Sequence, residues 1–125
     1  MAGKFKLLII DDDMGDQILI QRAIKRSGFE VDIDTAWDGI EGIEKTRVLK
    51  PDVVVLDGSM PGMDGFEVCK KIKALDDRFK VIICTGIVDD NIDTKARSAG
   101  ADECCLKTSD YKTLIEAIED LVILE

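Results

Sequence analysis

Four carboxylates, one hydroxyl and one amine stand where a chain could gather them for chemistry. Asp11, Asp12 and Asp13 follow the run FKLLII, Asp57 closes PDVVVLD, Thr85 closes VIICT, and Lys107 follows CCL. Carboxylates brought together repel and raise one another's pKa. A hard divalent cation removes that conflict by taking oxygen ligands. Mg2+ fits such a set, because it prefers octahedral oxygen ligation and keeps several waters, so two carboxylates and a backbone carbonyl suffice. A lysine opposite adds a fixed point charge. A cation, a lysine and a free carboxylate together suit a phosphoryl group. Asp57 can attack phosphorus in line while the two positive charges neutralise the equatorial oxygens, and the product is an acyl phosphate on Asp57. Taken singly these residues mean little. An acidic triplet after a strand serves as a turn or a helix cap, which is the reading for Asp13. A lone threonine is a structural hydroxyl and a lone lysine a surface charge. Convergence on one edge of a fold is what would make them a site.

The elements that must position them can be read from the apolar pattern. Phe5–Ile10, Val53–Leu56 and Lys80–Cys84 are unbroken apolar runs, the mark of parallel strands covered on both faces. Val31–Thr35 alternates as V-D-I-D-T, which suits an edge strand, and Cys104–Leu106 is a short fifth. Helical patterns fill the gaps over Gly15–Ser27, Asp38–Leu49, Asp64–Ala74, Asn91–Ala99 and Asp110–Leu124. The last sets Leu114, Ala117, Ile118 and Leu121 on one stripe. Gly28 and Gly100 stand where helix C-termini favour glycine. Five strands alternating with five helices predict an α/β fold, (βα)5, with an open, doubly wound parallel sheet and right-handed crossovers. Ligands of such sheets gather at the carboxyl ends of the strands. The acids, the threonine and the lysine all follow or close strands, so the fold delivers them to that one edge.

Composition narrows the function. A chain of 125 residues, 46% hydrophobic and 34% charged, suits one domain over 1–125. A net charge of −9 repels phosphate backbones and anionic headgroups, which argues against direct binding of nucleic acid or membrane. No apolar run approaches the ~20 residues of a membrane span. MAGKFKLLIIDDD does not read as a secretory signal, so the expected location is cytoplasmic. The chain has no histidine, which removes Ser-His-Asp and Cys-His catalysis, histidine zinc sites and phosphohistidine chemistry. Its four cysteines form no C-x-x-C. They read as buried or partly buried thiols in a reducing compartment, with a redox role for the adjacent Cys104–Cys105 pair as the alternative.

The segments LLIIDDD, PDVVVLDGSMPGMDG, VIICTG and GADECCLK, in this order and spacing, resemble the CheY-like receiver domain of two-component response regulators. The similarity spans essentially the whole chain, and the stretch Pro51–Gly65 is its specific part. It implies a flavodoxin-like sheet of strand order 2-1-3-4-5. It implies Asp57 as phosphoacceptor, and Mg2+ held directly by Asp12, Asp57 and the Ser59 carbonyl, with Asp11 acting through a metal-bound water. Thr85 would bind the phosphoryl oxygen on activation and Lys107 would pair with it. The implied partners are a sensor histidine kinase or phosphotransfer protein and a downstream target on the face formed by the fourth helix, fifth strand and fifth helix. The implied state is a monomer or a weak phosphorylation-dependent dimer.

Two positions depart from that pattern and two more fall where it varies. Cys104 stands three before the lysine, where the family often carries an aromatic ring whose rotamer reports phosphorylation. Thr108 stands where proline usually follows the lysine, often after a cis bond, so a trans bond is expected here. Ser59 and Ile87 occupy the variable positions two after Asp57 and two after Thr85, and both are expected to tune the phosphoryl lifetime. The leading reading is a stand-alone receiver, not an enzyme beyond its own phosphotransfer and dephosphorylation. A small aspartyl-phosphate phosphatase would want a second Asp where Ser59 stands. A pseudo-receiver would have lost site residues that are all present. A flavin-binding domain would want a Ser/Thr/Gly-rich loop after the first strand, not an acidic triplet.

Overall fold

A computed structural model describes residues 4–86, 90–108 and 110–123. Strand β1 (Phe5–Ile10) is followed by α1 (Met14–Arg26), β2 (Val31–Ala36), α2 (Gly39–Leu49), β3 (Val53–Asp57), α3 (Gly65–Leu75), β4 (Lys80–Thr85), α4 (Ile92–Ser98), β5 (Glu103–Leu106) and α5 (Lys112–Ile123). All strand pairs are parallel and the sheet order is β2-β1-β3-β4-β5. This is the predicted (βα)5 topology.

Alternate residues of each strand feed two separate cores, which is why the runs are apolar without a break. Leu7, Ile9, Val53, Val55 and Ile82 pack with Ile20 and Ile24 of α1 and Leu114 and Ile118 of α5. Leu8, Ile10, Val54, Leu56 and Ile83 pack with Val68 and Ile72 of α3 and Ala96 of α4. The edge strand β2 alternates half-buried and exposed positions until Ala36, as its sequence requires. No helix among the described residues is long and apolar enough to cross a membrane.

Aspartates start three helices. Asp13, Asp38 and Asp64 accept hydrogen bonds from the backbone N–H of Asp16, Glu41 and Glu67, three residues on. Asp13 is therefore the cap expected of it, and α1 begins at Met14. Gly28 and Gly100 have φ of 87° and 88° just past α1 and α4, the left-handed setting that glycine accepts at no steric cost. The fifth helix begins at Lys112, two residues later than its pattern predicts. Tyr111 sits at φ 54°, outside the helical region, and breaks the run. Strand β3 runs one residue further than predicted: Asp57 itself pairs with Cys84 in the ladder. The phosphoacceptor candidate is thus anchored in the sheet.

Candidate functional site

Asp11 leaves the end of β1 fully buried, fixed by its own N–H to the Ala36 carbonyl at 3.1 Å. Asp12 follows in solvent. Asp57 ends β3 and is 7% exposed. One carboxylate oxygen from each of Asp11, Asp12 and Asp57 lies within 4.8 Å of the others. Such an all-oxygen donor set fits a hard divalent cation. The Asp57 Oδ1 accepts the Ser59 N–H at 3.2 Å. The exposed Ser59 is thus held against Asp57.

Lys107 follows β5 and reaches back over the sheet edge. Its backbone N–H donates to the Thr85 carbonyl at 2.7 Å, which ties β5 to the end of β4. Its Nζ lies 2.8 Å from Asp11 Oδ2, 2.6 Å from Asp16 Oδ2 and 3.6 Å from Asp57 Oδ1. Thr85 is buried at the end of β4. A Cβ built on Gly58 would meet its Oγ1 at 3.5 Å, so the hydroxyl lies against the residue after Asp57.

The electrostatics follow from burial and crowding. Desolvation pushes the Asp57 carboxyl up to about 6, the charge of Asp11 adds to it, and Lys107 opposes. Burial also raises Asp11, against the hydrogen bond from Lys107. Desolvation works against the Lys107 charge too, but its hydrogen bonds to Asp11 and Asp16 outweigh that and hold it above the ordinary lysine value. The site thus keeps a fixed cation beside carboxylates that are reluctant to ionise together.

Two residues of this edge had no signal as isolated letters. Asp16 reads as an ordinary acid in a helix first turn, yet it is the nearest carboxylate to Lys107. The clue available was that α1 starts at the same sheet edge. Gln17 reads as a surface residue, yet it is buried. Its Nε2 donates to the carbonyls of Asp11 and Ala36 at 3.0 and 3.1 Å, pinning the acidic loop to the end of β2.

Close packing shapes the other wall. A Cβ on Gly65 would lie 2.1 Å from the Asp57 carbonyl oxygen and 2.7 Å from Gly58 Cα, so only glycine lets α3 start this near the end of β3. Met60 is buried in the second core, and Met63 and Phe66 pack against it. Cys104 is half-buried and packs against that same core. No ring stands at this position to turn between states. The Lys107–Thr108 bond is trans, as expected. Ile87 lies outside the described residues. Cys104 and Cys105 face opposite sides of the sheet, as successive strand residues do. Cys105 joins the first core, directly across the ladder from Cys84, and the thiols are free.

A doubly wound parallel sheet that gathers three carboxylates and a lysine at its carboxyl edge defines a flavodoxin-like fold of the receiver class. Residues 7–119 match the family model of the response regulator receiver domain. The chemotaxis protein CheY of Listeria monocytogenes is 38% identical over 91% of this chain and 95% of its own length. Sporulation initiation phosphotransferase F of Bacillus subtilis is 29% identical over 96% of this chain and 95% of its own. Among solved structures, the response regulator TrrA of Thermotoga maritima, in complex with Mg(2+)-BeF, superposes with a TM-score of 0.84. It is 29% identical, with 94% of this chain and 98% of that one covered. The chain belongs to the response regulator receiver family and is CheY-like. Accepting a phosphoryl group in two-component signalling is general to that family, as is interaction with kinases and downstream targets.

Proposed function

We propose that this chain works as a stand-alone receiver that takes a phosphoryl group onto Asp57 from a histidine kinase or phosphotransfer protein and thereby switches its protein contacts. The observation that carries the reading is Asp57 itself: buried, anchored in the central strand, and held beside both Lys107 and the Asp11–Asp12 pair. In the transfer, an Asp57 carboxylate oxygen forms the new bond to phosphorus as the bond to the donor's leaving group breaks in line. The donor nitrogen or oxygen leaves with the electron pair of the broken bond. Lys107 is placed to donate to a phosphoryl oxygen once the group is on Asp57, and Thr85 to approach another from the end of β4. The Ser59 N–H orients the carboxylate before transfer. Asp11, Asp12, Asp57 and the Ser59 carbonyl would hold Mg2+, which when bound offsets negative charge on the phosphoryl oxygens.

Its catalysis extends no further than its own phosphorylation and dephosphorylation. The α4–β5–α5 face adjoins Thr85 and Lys107 and is the surface we assign to the target, in a monomer or a weak phosphorylation-dependent dimer. With Cys104 in place of a ring, backbone movement after Thr85 would carry the change. The test is incubation with acetyl phosphate and Mg2+, followed by intact mass measurement. Wild type should gain one phosphoryl group and Asp57→Asn none, and a chelator should abolish the gain. An equal gain in both proteins would overturn the reading.

A further inference from the structure

The amine of Lys107 is shared unequally among its neighbours. Asp16 Oδ2 at 2.6 Å and Asp11 Oδ2 at 2.8 Å lie within hydrogen-bond reach, whereas Asp57 Oδ1 at 3.6 Å lies outside it. The shortest contact of the lysine thus comes from the first turn of α1, not from the strand that carries the phosphoacceptor. Asp16 differs from the other carboxylates in a second way. It contributes no oxygen to the cluster formed by Asp11, Asp12 and Asp57, and a third of its side chain is open to solvent. Its one charged partner among the described contacts is Lys107.

We propose that Asp16 is a positioning residue that restrains Lys107 in the unphosphorylated protein and so sets how readily Asp57 takes a phosphoryl group. The inference rests on Asp57 being the phosphoacceptor. A phosphoryl group there places oxygens carrying nearly two negative charges beside the amine. To reach them the lysine must lengthen or give up its contact with Asp16. Removing that competitor lowers the cost of transfer and leaves the amine free to turn toward Asp57. The alternative, that Asp16 only complements the N-terminal dipole of α1, requires no lysine and predicts an effect on helix stability alone.

The experiment measures the initial rate of phosphoryl uptake from acetyl phosphate at fixed Mg2+ by intact mass. Wild type, Asp16→Asn and Asp16→Glu are compared, and then Lys107→Ala with and without Asp16→Asn. Thermal midpoints confirm that each variant is folded. Asp16→Asn should label about fivefold faster than wild type, the scale of one partly exposed ion pair. Asp16→Glu, which keeps the charge, should label at a rate close to wild type. In the Lys107→Ala background the gain from Asp16→Asn should vanish, because the restraint acts through the lysine. The proposal is overturned if Asp16→Asn labels no faster than wild type. It is equally overturned if Asp16→Glu is as fast as Asp16→Asn, since loss of the charge that holds the lysine would then not be what speeds uptake, or if the gain persists without Lys107, since Asp16 would then act as a plain negative charge. A wild type that takes no phosphoryl group removes the phosphoacceptor reading and this inference with it, whereas a labelled wild type with an unresponsive Asp16 removes this inference alone.

Discussion

Replacing Asp57 with asparagine should make the metal-free protein more stable, by an amount that depends on pH in a definite way. The Asp57 carboxyl is buried beside Asp11, and both effects disfavour its charge, which Lys107 only partly offsets. Its pKa therefore moves from 3.8 to about 6 on folding. The folded protein binds this proton more tightly than the unfolded chain. Folding then takes up protons between those two values, and stability falls as pH rises through that window. Below it both states are protonated and nothing is lost. Above it the full cost is present, about 3 kcal/mol for a displacement of this size. Asparagine keeps the shape and the acceptor for the Ser59 N–H but carries no charge at any pH. Urea unfolding with a chelator present should show Asp57→Asn more stable than wild type by up to about 3 kcal/mol at pH 7, and by under about 1 kcal/mol at pH 4. In a thermal melt at pH 7 the gain should appear as about 10 °C. A variant no more stable than wild type at pH 7, or one with the same gain at both pH values, would refute the account of a strained, desolvated carboxylate.

Two further outcomes separate neighbouring residues that look alike in sequence. Asp12→Ala should abolish the rise in thermal midpoint that Mg2+ gives wild type, while Asp13→Ala should keep that rise and instead cost about 1 kcal/mol through loss of the α1 cap; the opposite pattern in a metal titration would show the register of the acidic loop to be wrong. Gly65→Ala should destabilise by about 3 kcal/mol in urea unfolding, because the added methyl meets backbone atoms of Asp57 and Gly58 that cannot step aside; unchanged stability would mean that α3 can retreat from the strand end.

What the sequence disclosed of this molecule was what a strand or a strand end determines. Unbroken runs such as LLII and VVVL had to be buried on both faces, so the parallel sheet followed, and with it the edge on which Asp11, Asp12, Asp57, Thr85 and Lys107 converge. Residues placed by helix register were harder to read. Asp16 meets Lys107 only because α1 starts at Met14 and turns its first acid over the sheet edge, a matter of one residue in the boundary. Gln17 is polar on a helix and still buried, because it supplies donors to carbonyls left over at the ends of β1 and β2. The late start of α5 turns on the backbone of Tyr111, whose left-handed φ no propensity for tyrosine would forecast. The neighbour of Cys105 is Cys84 and not Cys104, since ladder register, which sequence adjacency does not contain, decides it.

The central claim is that Asp57, and no other carboxylate of the acidic edge, carries the phosphoryl group. The most direct measurement labels the wild-type protein with acetyl phosphate and Mg2+, reduces the acyl phosphate with borohydride, and locates the product by peptide mass spectrometry. The account predicts homoserine at position 57 alone. Homoserine at position 11, 12 or 16, or none anywhere in a protein that had gained phosphoryl mass, would contradict it.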